Sequence, residues 1–503
     1  MKAPLMSIPL GDAVPEPLHL DGPGPKHLTP ALRDRWRKSL ESWEAPGPVR
    51  AALDRLTGPE TAVVVTGQQP GVWGGPLYCV YKAATAVETA RRITAETGRP
   101  AVAVFWINAD DTDWDEVGWG TLPRPDLELY RTRWKSSPLG SRRWVGGARL
   151  SLPEGAAEVF EAWGAHGPLL GAPYAREPAE LGTSFARCLL AWFGSEGLLP
   201  LDARWPEVRA AGADLWAAYV PRHAAIARAV TEVGESLRAE GTPVPLDAGA
   251  ADCGLFPLED DHRMDVDPDV WETEVRARLE AGRVETVAPS VLLRAPLQDH
   301  LFGPVTHVVG RGEAAYLRQL VPVYEALSIR RPVRLPRLHA TLVPEGLLPL
   351  DRVGEVLADP EAWLAERARE RVPQRAREAV ADARGAVAER LRDLTEASVE
   401  FQKDLGQLAE SARRKIDAQL ARLEDSLDRR ARQDLYREEP ALRALPEFLR
   451  PRREDQDRGL SAAALALAWG EAAPSRVRAA ARAHLDRLAE GALHHFVLEG
   501  PRV

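Results

Sequence analysis

Two short stretches concentrate the residues that could do chemistry. The first is Thr66-Gly67-Gln68-Gln69-Pro70-Gly71-Val72-Trp73-Gly74-Gly75-Pro76. Gly67, Gly71, Gly74 and Gly75 allow unusual backbone angles and close approach of a ligand. Gln68 and Gln69 offer uncharged donors and acceptors, which suit a sugar, an amide or an amino acid. Pro76 fits the first turn of a following helix, whose N–H groups and dipole would favour a carboxylate or phosphate. The loop lacks GK[ST] and GxGxxG, so it is neither a Walker A loop nor a dinucleotide fingerprint. A Gly-rich turn with solvated glutamines is the plain alternative.

The second stretch is Asn108-Ala109-Asp110-Asp111-Thr112-Asp113-Trp114-Asp115-Glu116, with five carboxylates in seven residues. Crowded carboxylates raise one another's pKa or bind a divalent cation. Either property suits a general base or a Mg²⁺–nucleotide site. The alternative is a solvated acidic turn that caps the next helix. A third loop, Gly310-Arg311-Gly312-Glu313, places Glu313 in the first turn of a helix near Tyr316. Arg294 and Arg337 are expected at the same edge, where an Arg can clamp a carboxylate. His300, His307 and His339 show no metal-ligand spacing, and packing roles are expected for them. Lys82 lies two turns into the helix after Gly75 and is expected to point away.

The elements around these loops explain why they should meet. Thr61–Thr66 and residues 101–107 read as buried strands, with a helical pattern from Pro76 to about Thr97 between them. Strand, helix, strand is a βαβ unit with parallel strands, right-handed in about 98% of cases. Both strand-end loops then open at one edge of the sheet, where ligands of open α/β sheets bind. Residues 290–295, 304–310 and 331–336 read as further strands of the same doubly wound sheet, and 198–204 as a strand of the α/β body. Arg131–Leu152 reads as extended, and the segments from Ala156 and from Gly182 to Phe193 as helical. Thr29–Leu56 reads as a helical run stopped at Gly58-Pro59.

From about Pro360 the character changes. Apolar residues at Val387, Leu391, Leu394, Phe401, Leu405, Leu408, Ala412, Ile416, Leu420, Leu423 and Leu427 follow the 3-4 spacing of a coiled-coil seam, with a stutter from Leu408 to Leu420. One helix over 374–435 would be roughly 90 Å long. Its stripe needs a partner helix, so a homodimer through the coiled coil is expected. Helices around Ser461–Trp469 and Ser475–Leu493 finish the chain. The expected organisation is a helical segment over 1–60, an α/β core over 61–358, a coiled-coil arm over 359–450 and a helical segment over 451–503.

Bulk properties bound the function. A chain of 503 residues exceeds one ordinary core. The net charge of −9, with both signs interspersed, leaves no footprint for nucleic acid or an anionic membrane. Cys79, Cys188 and Cys253 form no CxxC pair, which fits a reducing cytoplasm and no structural zinc. The N-terminus lacks a signal-peptide pattern, and no apolar run approaches the roughly 18 residues that span a bilayer.

At this level of detail the chain resembles the bacillithiol-biosynthesis cysteine-adding (BshC) family. VVVTGQQPGVWGGPLYCVYKA resembles that family's TGQQ-x-G-x-x-x-GPLY segment, and AVFWINADDTDWDEV its strand leading into an acidic loop. SVLLRAPLQDHL, THVVGRGEAAYLRQL, RPVRLPRLHATL and ALPEFLRPRREDQDRGLSAAAL resemble four later blocks in order. The resemblance implies a Rossmann-like parallel-sheet core with inserted connecting segments, a long α-helical coiled-coil arm and a homodimer. It also implies a ligase that joins the cysteine carboxyl to the glucosamine amine of glucosaminyl-malate. Amide formation from a free carboxylate is unfavourable in water, so ATP with Mg²⁺ is expected as the carboxyl-activating cosubstrate. On this reading Gln68, Gln69, Asp110, Asp111 and Glu313 are the catalytic candidates. Thr66, Gly67, Gly71, Gly74, Gly75, Asn108, Asp113, Arg294, Gly310, Gly312, Tyr316 and Arg337 are the binding candidates.

The chain departs from the family pattern at Thr112, where a histidine is usual, at Gly118-Trp119, where Asn-His is usual, and at Arg311, where a proline is usual. Without that histidine, Asp110 or Asp111 is expected to hold a raised pKa and act as the base. A different amine acceptor, or a nucleotide- or sugar-binding regulatory protein organised by its coiled coil, are the other readings.

Overall fold

The computed structural model describes residues 7–12, 24, 27–58, 60–134, 139–140, 143–164, 179–246, 253–260, 262–264, 266–397 and 405–502. They form two units: the chain up to Val343 together with Glu454–Pro501, and a second built chiefly from Pro344–Arg453.

The first unit is organised by a five-stranded sheet. Its strands are β1 (Ala62–Gln68), β2 (Ala101–Ile107), β3 (Leu199–Asp202), β4 (Thr306–Val309) and β5 (Val333–Pro336). Their order is β5-β4-β1-β2-β3, with every neighbouring pair parallel. Val63, Val64, Val65, Val104, Phe105 and Ile107 are buried on both faces, which is why these strands read as continuous apolar runs. The chain winds one way from β1 to β3 and the other way from β4 to β5. The C-terminal ends of β1 and β4 therefore flank a topological switch point, the place where a doubly wound sheet leaves a crevice.

Helix Leu77–Thr97 crosses over from β1 to β2 and ends at Gly98 in the left-handed conformation. It is buried nearly all round, because helix Ala473–Ala489 covers its outer side. Arg478 and Arg482 of that helix pair with Glu88 at 2.7 and 3.2 Å. On the N-terminal side, Trp36 Nε1 donates to Pro200 O of β3 at 2.7 Å.

Several local expectations need correction. Residues 290–295 are not a strand: they open helix Val291–Phe302, capped by Ser290, whose side chain accepts from Leu292 N. A short buried helix shows the same unbroken apolar run as a buried strand. The run Thr29–Leu56 is two helices, Pro30–Ser42 and Gly47–Leu56, split at Glu44 with φ 58°. Of Arg131–Leu152, the described strands are Leu129–Arg133 and Arg149–Leu150. The last helix stops at Ala489, and Ala492–Gly500 is a strand between Ser7–Asp12 and His339–Pro344.

The expected 374–435 helix is two helices, Gln374–Ala397 and Leu405–Glu438. They pack antiparallel: Arg384 pairs with Glu424 at 2.7 Å, and Gly406 lies beside Thr395. The chain thus supplies part of the partner its own stripe required. Phe401 lies outside the described residues. Leu408, Ile416 and Leu423 remain exposed. No described helix is long and apolar enough to cross a membrane.

Gly67 is where the sheet tolerates no side chain. A Cβ there would stand 2.7 Å from Trp106 O in the adjoining strand. Gly67→Ala is therefore expected to lower stability by about 1–3 kcal/mol through forced strand separation. Urea unfolding of the two proteins measures it, and an unchanged midpoint would contradict the close approach.

Candidate active site

A cavity of about 540 Å³ opens at the switch point. Its walls include Gln68 and Gln69 after β1, Asn108, Asp111 and Glu116 after β2, and Gly310, Arg311, Gly312 and Glu313 after β4. Tyr78 and Lys82 enter from the crossover helix, Arg294 from helix Val291–Phe302, and Arg263, Tyr316, Arg337, His339, Asp455 and Arg458 from more distant segments.

Lys82 does not point away. Tyr78 and Lys82 are four residues apart and share a helix face, and that face looks into the crevice. The Lys82 ammonium donates to Gly67 O at 2.7 Å, to Gln68 Oε1 at 3.2 Å and to Glu313 Oε2 at 2.7 Å. An ammonium only donates and a carboxylate only accepts, so the two glutamine amides have determined orientations. Gln68 receives from Lys82 and donates through Nε2 to Gln69 Oε1 (2.6 Å) and to the Tyr78 hydroxyl (3.1 Å). Gln69 Nε2 then donates to Glu116 Oε2 at 3.0 Å and Asp111 Oδ2 at 3.4 Å. A polarised chain of hydrogen bonds runs from the cation through both glutamines to two carboxylates.

Glu313 is the counter-ion of Lys82. Burial would raise its pKa, but Lys82 and His307 hold the carboxyl far below its ordinary value. Glu313 Oε2 also accepts from Gly310 N at 3.3 Å, closing the first turn of helix Arg311–Gln319. Arg334 Nη1 lies 2.6 Å from His307 Nδ1. A guanidinium can only donate, so Nδ1 accepts and the ring proton sits on Nε2, 3.5 Å from Glu313 Oε1. Arg334 in turn faces Asp299 at 3.5 Å.

The five carboxylates of the acidic loop do not act as a group. Asp110 is buried, and Arg263 donates to its carbonyl oxygen at 2.9 Å; it does not line the cavity. Asp111 pairs with Arg294 at 3.0 Å. Burial would raise the Asp111 pKa, but Arg294, Arg263 and the N–H groups of Asp113 and Thr112 bring it below the ordinary value. Of Asp110 and Asp111, one of which is expected to hold a raised pKa, Asp111 does not: two arginines that meet it only in the folded chain reverse the sign. Asp113 caps the helix Trp114–Val117 by accepting from Glu116 N, as the plain alternative supposed. Asp115 turns outward to Arg133. Glu116 is the carboxyl pushed up, by partial desolvation and by Asp113 and Asp111, with the Gln69 hydrogen bond opposing.

The glycine-rich loop is also reassigned. A Cβ on Gly71 would stand 2.5 Å from Gly75 Cα, and one on Gly75, at φ 69°, would stand 2.9 Å from Cys79 Sγ. Gly71, Gly74 and Gly75 are buried, compact the turn and do not line the cavity. The helix end after Gly75 is not a free anion site. Leu77 N donates to Leu460 O at 2.9 Å, and Ala462 N donates to Gly75 O at 2.7 Å. Thr66 is likewise turned into the sheet, donating to Val308 O. The departure at Gly118 has a packing reason: a Cβ there would lie 2.5 Å from Trp114 Nε1.

Arg337 is fastened to Asp457 at 2.7 Å, and Arg337 and Arg458 both stack over the Tyr78 ring at 5.3 and 5.9 Å. Burial keeps Tyr78 and Tyr316 as neutral phenols, their pKa values raised. Arg311 and Arg458 have no carboxylate at ion-pair distance among the described residues. The Asn108 Oδ1 has no protein hydrogen-bond partner. His339 is held neutral, its pKa lowered to about 2 by burial and by Arg337 and Arg311. Cys79 is buried with its thiol pushed up to about 12, chiefly by desolvation, which makes it no nucleophile. Sequence reading missed Tyr78, Arg263 and Arg458. The Tyr78–Lys82 spacing was a usable signal, whereas Arg263 and Arg458 had none.

This is a Rossmann-like α/β protein with a small-molecule crevice at its switch point. The family profile described as "Bacillithiol biosynthesis BshC, N-terminal Rossmann-like domain" matches residues 25–338, and the chain belongs to that family. It is 28% identical to the "Putative cysteine ligase BshC" of Symbiobacterium thermophilum, over 82% of this chain and 80% of that one. The protein of the same name from Heliobacterium modesticaldum is also 28% identical, over 75% and 74%. That from Carboxydothermus hydrogenoformans is 31% identical, over 56% and 55%. The chain is thus related to ligases of bacillithiol biosynthesis.

The Lys82–Glu313 pair yields a test. Lys82→Met should destabilise by about 3–5 kcal/mol at neutral pH, because Glu313 is left as a buried charge. In the parent protein the depressed Glu313 pKa contributes stability above the unfolded value of 4.5 and loses it as pH falls. In the variant the unpaired carboxyl has a raised pKa and regains stability by protonation. The gap between the two proteins should shrink between pH 7 and about pH 4, as read by denaturant unfolding. A gap independent of pH would contradict the pairing.

Proposed function

We propose that this protein is a cysteine ligase that forms an amide between the cysteine carboxyl and the glucosamine amine of glucosaminyl-malate. The observation that carries this reading is the bipolar crevice. Among the described residues Arg311 and Arg458 have no carboxylate at ion-pair distance, and the Glu116 carboxylate accepts from Gln69 and pairs with no cation, within one cavity. Glucosaminyl-malate offers two carboxylates and an ammonium, and cysteine one of each, so both substrates need both signs. Asn108 Oδ1 and the Tyr78 hydroxyl add neutral hydrogen-bonding capacity for sugar hydroxyls.

The acceptor ammonium must lose a proton before its nitrogen can attack. Glu116 is the group suited to take it, because a base with a raised pKa accepts a proton from an amine more readily. Asp111, locked to Arg294, orients Gln69 and stays ionised. Gln68, Gln69 and Glu313 act with Lys82 in holding the β1 and β4 loops together. Carboxyl activation requires a cosubstrate, which we assign to ATP with Mg²⁺. Gly310 and Gly312 carry no side chains at the start of helix Arg311–Gln319, where Glu313 already accepts from Gly310 N, so Arg311 is the group there that would meet phosphate oxygens. Asp111, which stays ionised, is the carboxylate that would hold the cation, leaving Glu116 to take the proton. The hairpin Gln374–Ala397 and Leu405–Glu438, with Leu408, Ile416 and Leu423 exposed, is assigned to homodimerisation.

Purified protein with cysteine, glucosaminyl-malate and ATP should produce the cysteinyl amide, detected by mass spectrometry. Production only with another aminosugar would redirect the acceptor, and cysteine transfer with no nucleotide or other activated donor would remove the energetic argument. Glu116→Gln should lower kcat about 100-fold and abolish the rise in rate with pH on the acidic side. Full rate with an unchanged profile would exclude Glu116 as the base.

Deleting residues 380–430 should convert a dimer to a monomer in sedimentation. A full-length chain that already sediments as a monomer at micromolar concentration would defeat the dimer assignment.

A further inference from the structure

Three segments that are distant in sequence bring together metal-binding side chains outside the crevice. His27 precedes the first long helix, Asp214 lies in the first turn of Ala213–Tyr219, and His300 lies in the last turn of Val291–Phe302. Asp214 Oδ1 is 3.1 Å from His300 Nε2, and Asp214 Oδ2 is 3.6 Å from His27 Nδ1. The three donor atoms lie within 4.8 Å of one another. Ligands about 2.0–2.2 Å from a tetrahedral Zn²⁺ stand about 3.3–3.6 Å apart. Each Asp214 oxygen stands near that range from one imidazole nitrogen, Oδ1 from His300 and Oδ2 from His27, so a side-chain rearrangement is needed before one ion meets all three residues.

The surroundings suit a dication. The imidazoles of His27 and His300 stack with centroids 3.8 Å apart at 24°, so His27, the more exposed of the two, must turn out of the stack for both in-plane lone pairs to reach one ion. His300 is largely buried, and its Nε2 faces the Asp214 carboxylate. Among the described residues Asp214 pairs with no lysine or arginine. Asp214 and His27 are 60% and 38% exposed, which leaves a coordination position for water.

We propose that His27, Asp214 and His300 bind a transition-metal dication of the Zn²⁺ class. Two imidazoles and one carboxylate select such ions over Mg²⁺ or Ca²⁺, which prefer all-oxygen shells. None of the three residues lines the crevice. Arg294 lies six residues upstream of His300, about 9 Å along the same helix. The ion is therefore a cross-link. It ties the segment before Pro30 to the helix that presents Arg294 to Asp111, and it takes no part in the reaction.

The test uses tag-free full-length protein stripped with a chelator. Zn²⁺ titrated in competition with a chromogenic chelator should bind at one ion per chain with Kd below about 10 µM. Co²⁺ should give a visible absorption band at the same stoichiometry, and Zn²⁺ should raise Tm. His27→Gln and Asp214→Asn should each weaken Zn²⁺ at least about 30-fold, remove the Co²⁺ band and abolish the Tm rise. Metal-free Tm and circular dichroism matching the parent would show that these variants fold. Absence of stoichiometric binding overturns the proposal. So does binding that both variants retain, which would place the ion on the crevice carboxylates or a cysteine.

Discussion

The arrangement depends first on one buried ammonium. Lys82 sits where three elements meet: the end of β1, the crossover helix and the start of helix Arg311–Gln319. It satisfies Gly67 O, Gln68 Oε1 and Glu313 Oε2 at once. A charge taken out of water is costly unless every hydrogen is used, and here three acceptors are provided for three N–H bonds. The switch point of a doubly wound sheet is a natural gap between halves of the chain. Lys82 bridges that gap and leaves the remaining space as a cavity with defined walls.

The rest of the polar site follows from that anchor. Because Lys82 can only donate, Gln68 and Gln69 have single orientations, and the donor end of the chain reaches Asp111 and Glu116. A second ionic shell fixes the far ends: Arg294 and Arg263 around Asp110 and Asp111, and Arg334 with Asp299 behind His307. Buried ion pairs of this kind add little net stability, since desolvation offsets most of the attraction. What they supply is position. Each carboxylate is held in one place, and the two acidic residues nearest Gln69 end with pKa values moved in opposite directions. The proposed roles rest on that divergence, with Asp111 as a structural anion and Glu116 as the proton acceptor.

Gly71, Gly74 and Gly75 of the glycine-rich loop, expected to bind a ligand, lie off the cavity wall. They permit a turn so tight that Gly71 and Gly75 nearly touch, and Trp73 takes a left-handed φ of 53°. The segment Leu460–Ala462 then lies over the helix start and takes its hydrogen bonds. The helix start that faces the crevice is the one after β4, where Gly310 and Gly312 line the wall and Glu313 caps Gly310 N.

The sequence alone determined the class of fold, because buried parallel strands and a helical crossover leave periodic apolar signatures that need no distant partner. It also placed Gln68, Gln69, Asp111 and Glu313 at one sheet edge, since parallel strands put all their following loops on the same side. It could not separate the buried helix Val291–Phe302 from a strand, because both are apolar without a break. Nor could it show that the long heptad stripe folds back on itself, since the same spacing serves a partner within the chain or outside it. Only the tertiary structure decided the charges. Arg263, Arg294 and Arg458 reach the site from about 150 to 390 residues away from the loops they serve, and Coulombic effects depend on distance in space. The sign of the Asp111 shift, the inward turn of Lys82 and the meeting of His27 with Asp214 and His300 all follow from contacts that no local spacing encodes.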